Sequence, residues 1–182
     1  MIGEVLTRCQ RIAGVDEVIC AIPLTKGNDK LADEAANYCK LYNSPWPEDD
    51  VLRRYYGAAK LFEADVIVRI TGDCPLISPE LCGAVVFKRN ELNADYASNI
   101  MPRTFPKGLD CEVFTYDTLV RAVRQGPDEH VTTWMQKSKK VKRVNVTSPW
   151  QLDGRLTLDT WDDYKVICAA FGHDAPEHLR AA

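Results

Sequence analysis

The sequence predicts a single α/β domain built on a mostly parallel sheet, with residues 1–182 forming one unit. Two observations carry this. Segments with helical spacing alternate with short apolar runs along the whole chain. The strongest of those runs, Val66-Ile67-Val68 with Ile70, reads as a buried strand, with Arg69 and Thr71 on the face opposite Val66, Val68 and Ile70. A chain of 182 residues is long enough to bury a core without disulfide or metal staples.

The elements follow in order. Ile2, Val5, Leu6, Cys9, Ile12 and Ala13 fall on one helical face, and Gly14 is a stop. Glu17 to Ile22 is a nearly continuous apolar run closed by Pro23, a strand covered on both faces. Asn28 is placed to cap a second helix with Leu31, Ala35, Cys39 and Tyr42 on its inner face, and Leu41–Asn43 to form a brief strand. Glu48, Asp49 and Asp50 complement the dipole of a third helix, which buries Val51, Tyr55, Ala59 and Phe62. Ala64 to Thr71 is the strongest strand. Ser78-Pro79-Glu80 reads as an N-cap, a proline at the first helical position and a first-turn acid, ahead of a stripe of Leu81, Val85 and Val86.

In the second half, strands are predicted over Asp95–Ser98, Cys111–Thr115, Val141–Val146 and Arg155–Leu158, and helices near Asp117–Arg124 and over Pro127–Lys137. Met101–Gly108 is a loop. Thr160 with Asp163 forms a capping-box pair ahead of a last helix carrying Tyr164, Ile167, Ala170 and Phe171.

Composition narrows the function. The net charge of −3 argues against a general nucleic-acid binder, whose affinity comes from neutralising phosphates. Seven cysteines, an odd number without a Cys-x-x-Cys pair, point to buried free thiols in a reducing cytoplasm rather than disulfides or a zinc site. There is no signal peptide and no apolar run long enough to span a bilayer, so a cytoplasmic protein is expected.

In parallel α/β sheets ligands gather beyond the carboxyl ends of the strands. The strongest strand ends there, at Thr71-Gly72-Asp73-Cys74-Pro75. Gly72 permits close backbone approach and Pro75 fixes the turn. A carboxylate at Asp73 has two readings, a turn cap or a ligand for Mg²⁺ beside a triphosphate. A second carboxylate, Asp159, follows another predicted strand, and it too reads either as a helix cap or as a metal ligand. Two acids at two strand ends suit a metal held for phosphoryl-type chemistry.

Five segments together resemble one family: Val66–Ile77 (VIVRITGDCPLI), Glu48–Ala59 (EDDVLRRYYGAA), Gly108–Phe114 (GLDCEVF), Glu129–Thr132 (EHVT) and Leu158–Thr160 (LDT). It is the family of CTP-dependent cytidylyltransferases that activate acidic sugars, including acylneuraminate and 3-deoxy-manno-octulosonate cytidylyltransferases. The branch of spore coat polysaccharide biosynthesis protein F is the most similar. The resemblance implies a three-layer, Rossmann-like nucleotide-diphosphosugar-transferase fold. It also implies CTP and Mg²⁺ as ligands, and transfer of CMP to an acidic sugar hydroxyl with release of pyrophosphate, for surface polysaccharide biosynthesis in a homodimer.

Carried over residue by residue, Asp73 and Asp159 match the family's metal-binding acids, with Arg69, Thr71 and Gly72 against the nucleotide. Arg103, Asp110, Glu112, Glu129 and His130 fall in segments implied to line the acceptor side, with His130 the candidate base. The family pattern opens with a central strand and a triphosphate loop rich in Gly, Ser, Arg and Lys, and neither is found in this sequence. Three readings follow: a truncated enzyme, a degenerate relative, or a fold completed by another chain. The expectations are an unpaired edge inside the sheet and little pyrophosphate release by this polypeptide. Alternatives from other classes are an inactive nucleotide- or sugar-binding or dimerisation module, and a nucleotide-sugar-dependent glycosyltransferase.

Overall fold

A computed structural model describes residues 1–125 and 130–176. The order is α1 (Ile2–Cys9), β1 (Ile19–Pro23), α2 (Asp29–Ala35), β2 (Lys40–Ser44), α3 (Val51–Leu61), β3 (Val66–Arg69) and α4 (Pro79–Glu91), then β4 (Tyr96–Ser98), β5 (Glu112–Thr115), α5 (Tyr116–Val123), α6 (Thr133–Lys137), β6 (Arg143–Asn145) and α7 (Trp161–Ala170). The predicted α/β alternation is present. Strands β3, β4 and β6 run one way and β5 opposes them, because β5 pairs antiparallel with both β3 and β4 while β4 pairs parallel with β6. Strands β1 and β2 are parallel to each other.

Side-chain alternation along the strands builds three layers. On one face, Val5 and Cys9 of α1 and Cys82, Val85 and Val86 of α4 cluster with Val66, Val68, Ala97 and Val113. On the other, Leu52 and Ala59 of α3 and Leu119 and Ala122 of α5 cluster with Ile67, Tyr96 and Phe114. A third cluster sets Leu6 against Ile22 and Ala35.

The hydrogen-bonded sheet comes in two pieces, β1-β2 and β3-β5-β4-β6. This is the unpaired edge expected inside the sheet. Its consequence corrects the expectation that β1 and β3 are fully covered. Only Ile22 in β1 and Ile67 in β3 are buried, whereas β4 is buried throughout and β5 at all but Thr115.

Local signals explain most element boundaries. The Ser78 hydroxyl accepts from Leu81 N at 3.1 Å, the Asp50 carboxylate accepts from Arg53 N at 3.2 Å, and Thr160 with Asp163 completes a full capping box. Four expectations are corrected. The Asn28 side chain does not cap α2; it donates to Pro23 O and to the Thr25 hydroxyl. Tyr42 lies in β2 rather than on the α2 face, because the helix ends at Ala35. In α4 the buried stripe runs through Cys82, Val85 and Val86, with Leu81 half-buried. Arg155–Leu158 makes a single bridge, Lys107 to Arg155, instead of a strand. The predicted helix Pro127–Lys137 is present as α6 from Thr133, and residues 126–129 lie outside the described residues. Among the described residues no helix is long and apolar enough to cross a membrane.

The topology predicts a split in native-state hydrogen exchange. Gap-facing amides of Ile19–Ile22 and Val66–Arg69 should exchange at least about tenfold faster than ladder amides of β4 and β5, because only the latter sit in a sheet paired on both sides. Uniform protection across these four strands would contradict the two-piece sheet.

Candidate active site

Strand β3 ends at Arg69, and the chain turns at once. Cys74 N donates to Thr71 O at 3.2 Å and Ile77 N to Cys74 O at 3.1 Å, so residues 71–77 form consecutive tight turns that hold Asp73 beyond the strand end. The Asp73 carboxylate accepts from the Cys74 thiol at 3.5 Å. Burial is the main cause that pushes the Cys74 thiol up to about 12, so it stays protonated at neutral pH and is no thiolate nucleophile. Gly72 is exposed, and a Cβ there would meet only Ile2 Cδ1, at 3.6 Å. Packing within the described chain does not demand glycine at this point.

The second acid reaches the same turn through the backbone. Leu158 N donates to Asp73 O at 2.8 Å, which sets Asp159 beside the Asp73 turn. Asp159 is half-exposed and its carboxylate is ion-paired with Arg155, which also pairs with Asp163 at 3.2 Å. Asp163 accepts from the backbone N–H of Asp159 and Thr160 as well. The Arg155 guanidinium is the largest cause that holds the Asp163 carboxyl at about 2, below its ordinary value, and the backbone donors add to it.

A ladder of contacts positions this segment. Lys107 N donates to Gly154 O at 3.1 Å and Leu156 N to Lys107 O at 2.7 Å. Gly108 has φ +96°, and a Cβ there would stand 2.5 Å from the Leu156 carbonyl carbon, so glycine is required twice over, by conformation and by contact. Just beyond, Arg103 forms a bidentate pair with Asp110, at 2.5 and 2.7 Å. Buried Asn99 ties that loop down, donating to Leu109 O at 2.7 Å and accepting from Cys111 N at 2.9 Å.

The structure thus brings together Asp73, Asp159, Thr71 and Gly72, with Arg103 and Asp110 on the loop that leads into β5. It does not bring Arg69 and Glu112 to the cleft. Those two are cross-strand partners joined at 2.6 Å, and Glu112, 2% exposed, also accepts from the Tyr96 hydroxyl at 2.5 Å and from Gln136 at 3.1 Å. Strand alternation turns both into the layer of α3 and α5, where Arg69 lies over the Tyr55 ring. His130 is exposed ahead of α6, its carbonyl accepting from Thr133. Glu129 lies outside the described residues.

A divalent cation bound with a nucleotide needs only one or two protein carboxylates, with phosphate oxygens and water completing its shell. Asp73 fits, since among the described residues the donor to its carboxylate is a thiol. Asp159 fits once it is shared with Arg155. Among the described residues no group of three or more His, Cys, Asp or Glu side chains is placed to hold a metal by itself, so the pair suits a nucleotide-borne cation better than a structural one. Two surface hollows of about 310 and 240 Å³ lie elsewhere, against β2 and at the ends of β1 and β2.

A family model described as cytidylyltransferase matches residues 1–143. The chain belongs to the cytidylyltransferase family. It is 34% identical over 169 residues to an uncharacterized protein of Methanocaldococcus jannaschii, MJ1063, covering 88% of this chain and 68% of that protein. It is 29% identical over 133 residues to the spore coat polysaccharide biosynthesis protein SpsF of Bacillus subtilis, covering 68% of this chain and 54% of SpsF. A cytidylyltransferase of Leptospira borgpetersenii superposes with a TM-score of 0.84 at 27% identity, covering 93% of this chain and 75% of that one. The chain therefore spans about half to three quarters of the length of these relatives.

Three residues that shape this candidate site carry no functional reading in the sequence: Asn99, Arg155 and Asp163. Asp163 had been read as a cap alone. The spacing of Arg155, Asp159 and Asp163, four residues apart each time, was the available signal.

The contacts of Gly108 and of Asp163 each carry a prediction. Gly108→Ala should destabilise the fold by about 2 kcal/mol or more in urea denaturation, through strain at positive φ and the backbone clash; an unchanged midpoint would contradict it. Asp163 has a folded pKa of about 2 against an ordinary 3.8. Its stabilisation is therefore present above about pH 4 and is lost as pH falls toward 2. In thermal melts, Asp163→Asn should flatten the fall in midpoint across that window.

Proposed function

We propose that the turn at Asp73 and the adjoining Asp159 form the cation side of a CTP site, and that the protein catalyses transfer of CMP to the hydroxyl of an acidic sugar in surface polysaccharide biosynthesis. The observation that carries this reading is the Leu158 N to Asp73 O hydrogen bond, which brings the backbone next to Asp159 onto the Asp73 turn in a chain of this family. SpsF, named for spore coat polysaccharide biosynthesis, supports the choice of pathway class.

In this reading the acceptor oxygen bonds to the α-phosphorus, the bond to the bridging oxygen breaks, and pyrophosphate leaves while the acceptor hydroxyl loses its proton. Bound Mg²⁺ would neutralise phosphate charge and favour departure of pyrophosphate. Asp73 and Asp159 would hold that ion. Exposed Gly72 leaves room for phosphate oxygens beside the turn. Arg103, fixed in a planar bidentate pair with Asp110, presents a preoriented cation toward an acidic acceptor. Arg69 and Glu112 act from behind, as the buried tie that fixes the end of β3.

Titration calorimetry tests the reading. CTP binding should require Mg²⁺ or Mn²⁺, and Asp73→Asn should weaken it about 10- to 100-fold. Cation-independent binding, unmoved by Asp73→Asn, would overturn it. With CTP and acidic sugars this polypeptide, without the triphosphate loop, should release little pyrophosphate, and that pyrophosphate is the product the reading expects; free nucleotide released from a supplied nucleotide sugar would identify a glycosyltransferase instead.

A further inference from the structure

The Arg155 guanidinium has a fixed seat beside the two acids of the proposed cation site. Its Nε donates to Asp163 Oδ1 at 3.3 Å and its Nη2 to Asp163 Oδ2 at 3.2 Å, while Nη2 also pairs with Asp159. Asp163 is the anchor of this trio. Its side chain is 16% exposed against 48% for Asp159, and its Oδ2 also accepts from the backbone N–H of Asp159 and Thr160, at 3.0 and 2.9 Å. Those bonds belong to the capping box of α7, so the anchor is held by the helix start itself. The Arg155 backbone is held too, by its bridge to Lys107. Asp163 foremost, with Asp159 and Asp73 adding, keeps the guanidinium above its ordinary pKa, so Asp73 also lies within its field. The other arginine of the cleft differs, because the bidentate partner Asp110 matches the charge of Arg103 one for one.

We infer that Arg155 is a specificity-determining residue, whose charge disfavours a bare divalent ion at Asp73 and Asp159 and favours one that arrives already chelated by a triphosphate. This rests on the cation role proposed above for those two acids. A bare divalent ion meets a positive charge already seated on one of its two ligands. The complex of one divalent ion with CTP is negative overall, and the same guanidinium attracts it. One residue therefore acts with opposite sign on the two forms of the cation.

Magnitudes follow from Coulomb's law. A unit charge roughly 6 Å from a divalent ion in water changes the affinity of that ion about tenfold at low salt. The anchor on Asp163 matters here, because a free surface arginine would swing away from the incoming ion. Arginine suits the position, since its planar fork reaches both oxygens of Asp163 and still leaves Nη2 on Asp159. Arg155 and Asp159 are both half-exposed, so the effect is screened by salt. A purely structural clip for the start of α7 would behave differently, because its loss would weaken both forms together.

The test measures two affinities at low salt: Mn²⁺ alone, by electron paramagnetic resonance of the free ion, and CTP with Mg²⁺, by calorimetry. Arg155→Met keeps the stem and removes the charge, and Arg155→Gln removes the charge but keeps a donor for Asp163. Each should tighten Mn²⁺ alone about five- to tenfold and loosen CTP with Mg²⁺ by a similar factor. Arg155→Lys keeps the charge and should stay within about twofold of the parent chain for both. The tightening should vanish in an Asp73→Asn background, which ties it to this site. Looser binding of both ligands in the Met and Gln variants, or unchanged binding of Mn²⁺ alone, would overturn the inference. So would tightening that persists with Asp73→Asn. The Mn²⁺ titration contains no nucleotide, so it decides the role of Arg155 even where CTP fails to bind, a failure that would count against the cytidylyl-transfer reading instead.

Discussion

The candidate site depends on one stretch of backbone lying flush on another. Residues 154–158 run along Lys107 and Gly108, fixed by hydrogen bonds at both Lys107 N and Lys107 O, and the run ends with Leu158 donating to Asp73. Only glycine at 108 lets the two backbones approach so closely. The loop that carries Arg103 and Asp110, the turn that carries Asp73 and the segment that carries Asp159 are thus parts of one clamp. They come from places in the chain tens of residues apart, and backbone hydrogen bonds rather than side-chain packing hold them in register. Such contacts tolerate little displacement, which suits the proposed role of holding a cation against phosphate oxygens.

Behind the clamp stands a buried polar tie. Glu112 accepts from Arg69, Tyr96 and Gln136, and so links β3, β5, β4 and α6 at the carboxyl end of the sheet. Burial raises the Tyr96 hydroxyl pKa, with Glu112 adding to it, so the phenol remains a donor at any physiological pH. A carboxylate with this many donors is well satisfied in an apolar layer, whereas the same carboxylate without Arg69 would be an uncompensated charge. Its role is to fix the strand end from which the Asp73 turn departs.

Much of this was legible in the sequence because it is local. Ser78 and Thr160 cap their helices as their neighbours in sequence dictate, and Val66-Ile67-Val68 is a strand by composition alone. The turn at Asp73 follows from Gly72 and Pro75. The misreadings share a cause in long-range partners. Arg69 and Glu112 were assigned to ligands because their motifs suited it, yet the two pair across strands 43 residues apart. Arg155–Leu158 has the composition of a strand, but its backbone is used in the clamp and Arg155 is drawn to Asp159 and Asp163. Strand β1 reads as covered on both faces and β3 as buried, yet only Ile22 and Ile67 are buried in them. Their incomplete burial reflects the gap between the two pieces of the sheet.

The central claim is that Asp73 and Asp159 hold a cation that arrives with a nucleotide. Paramagnetic broadening by Mn²⁺ in the presence of CTP tests it most directly, read on backbone amides of the isotope-labelled protein. The account predicts selective loss of the Gly72–Cys74 and Leu158–Thr160 signals, CTP-dependent and reversed by excess Mg²⁺, with α5 unaffected. Broadening centred elsewhere, or equal with and without CTP, would contradict it.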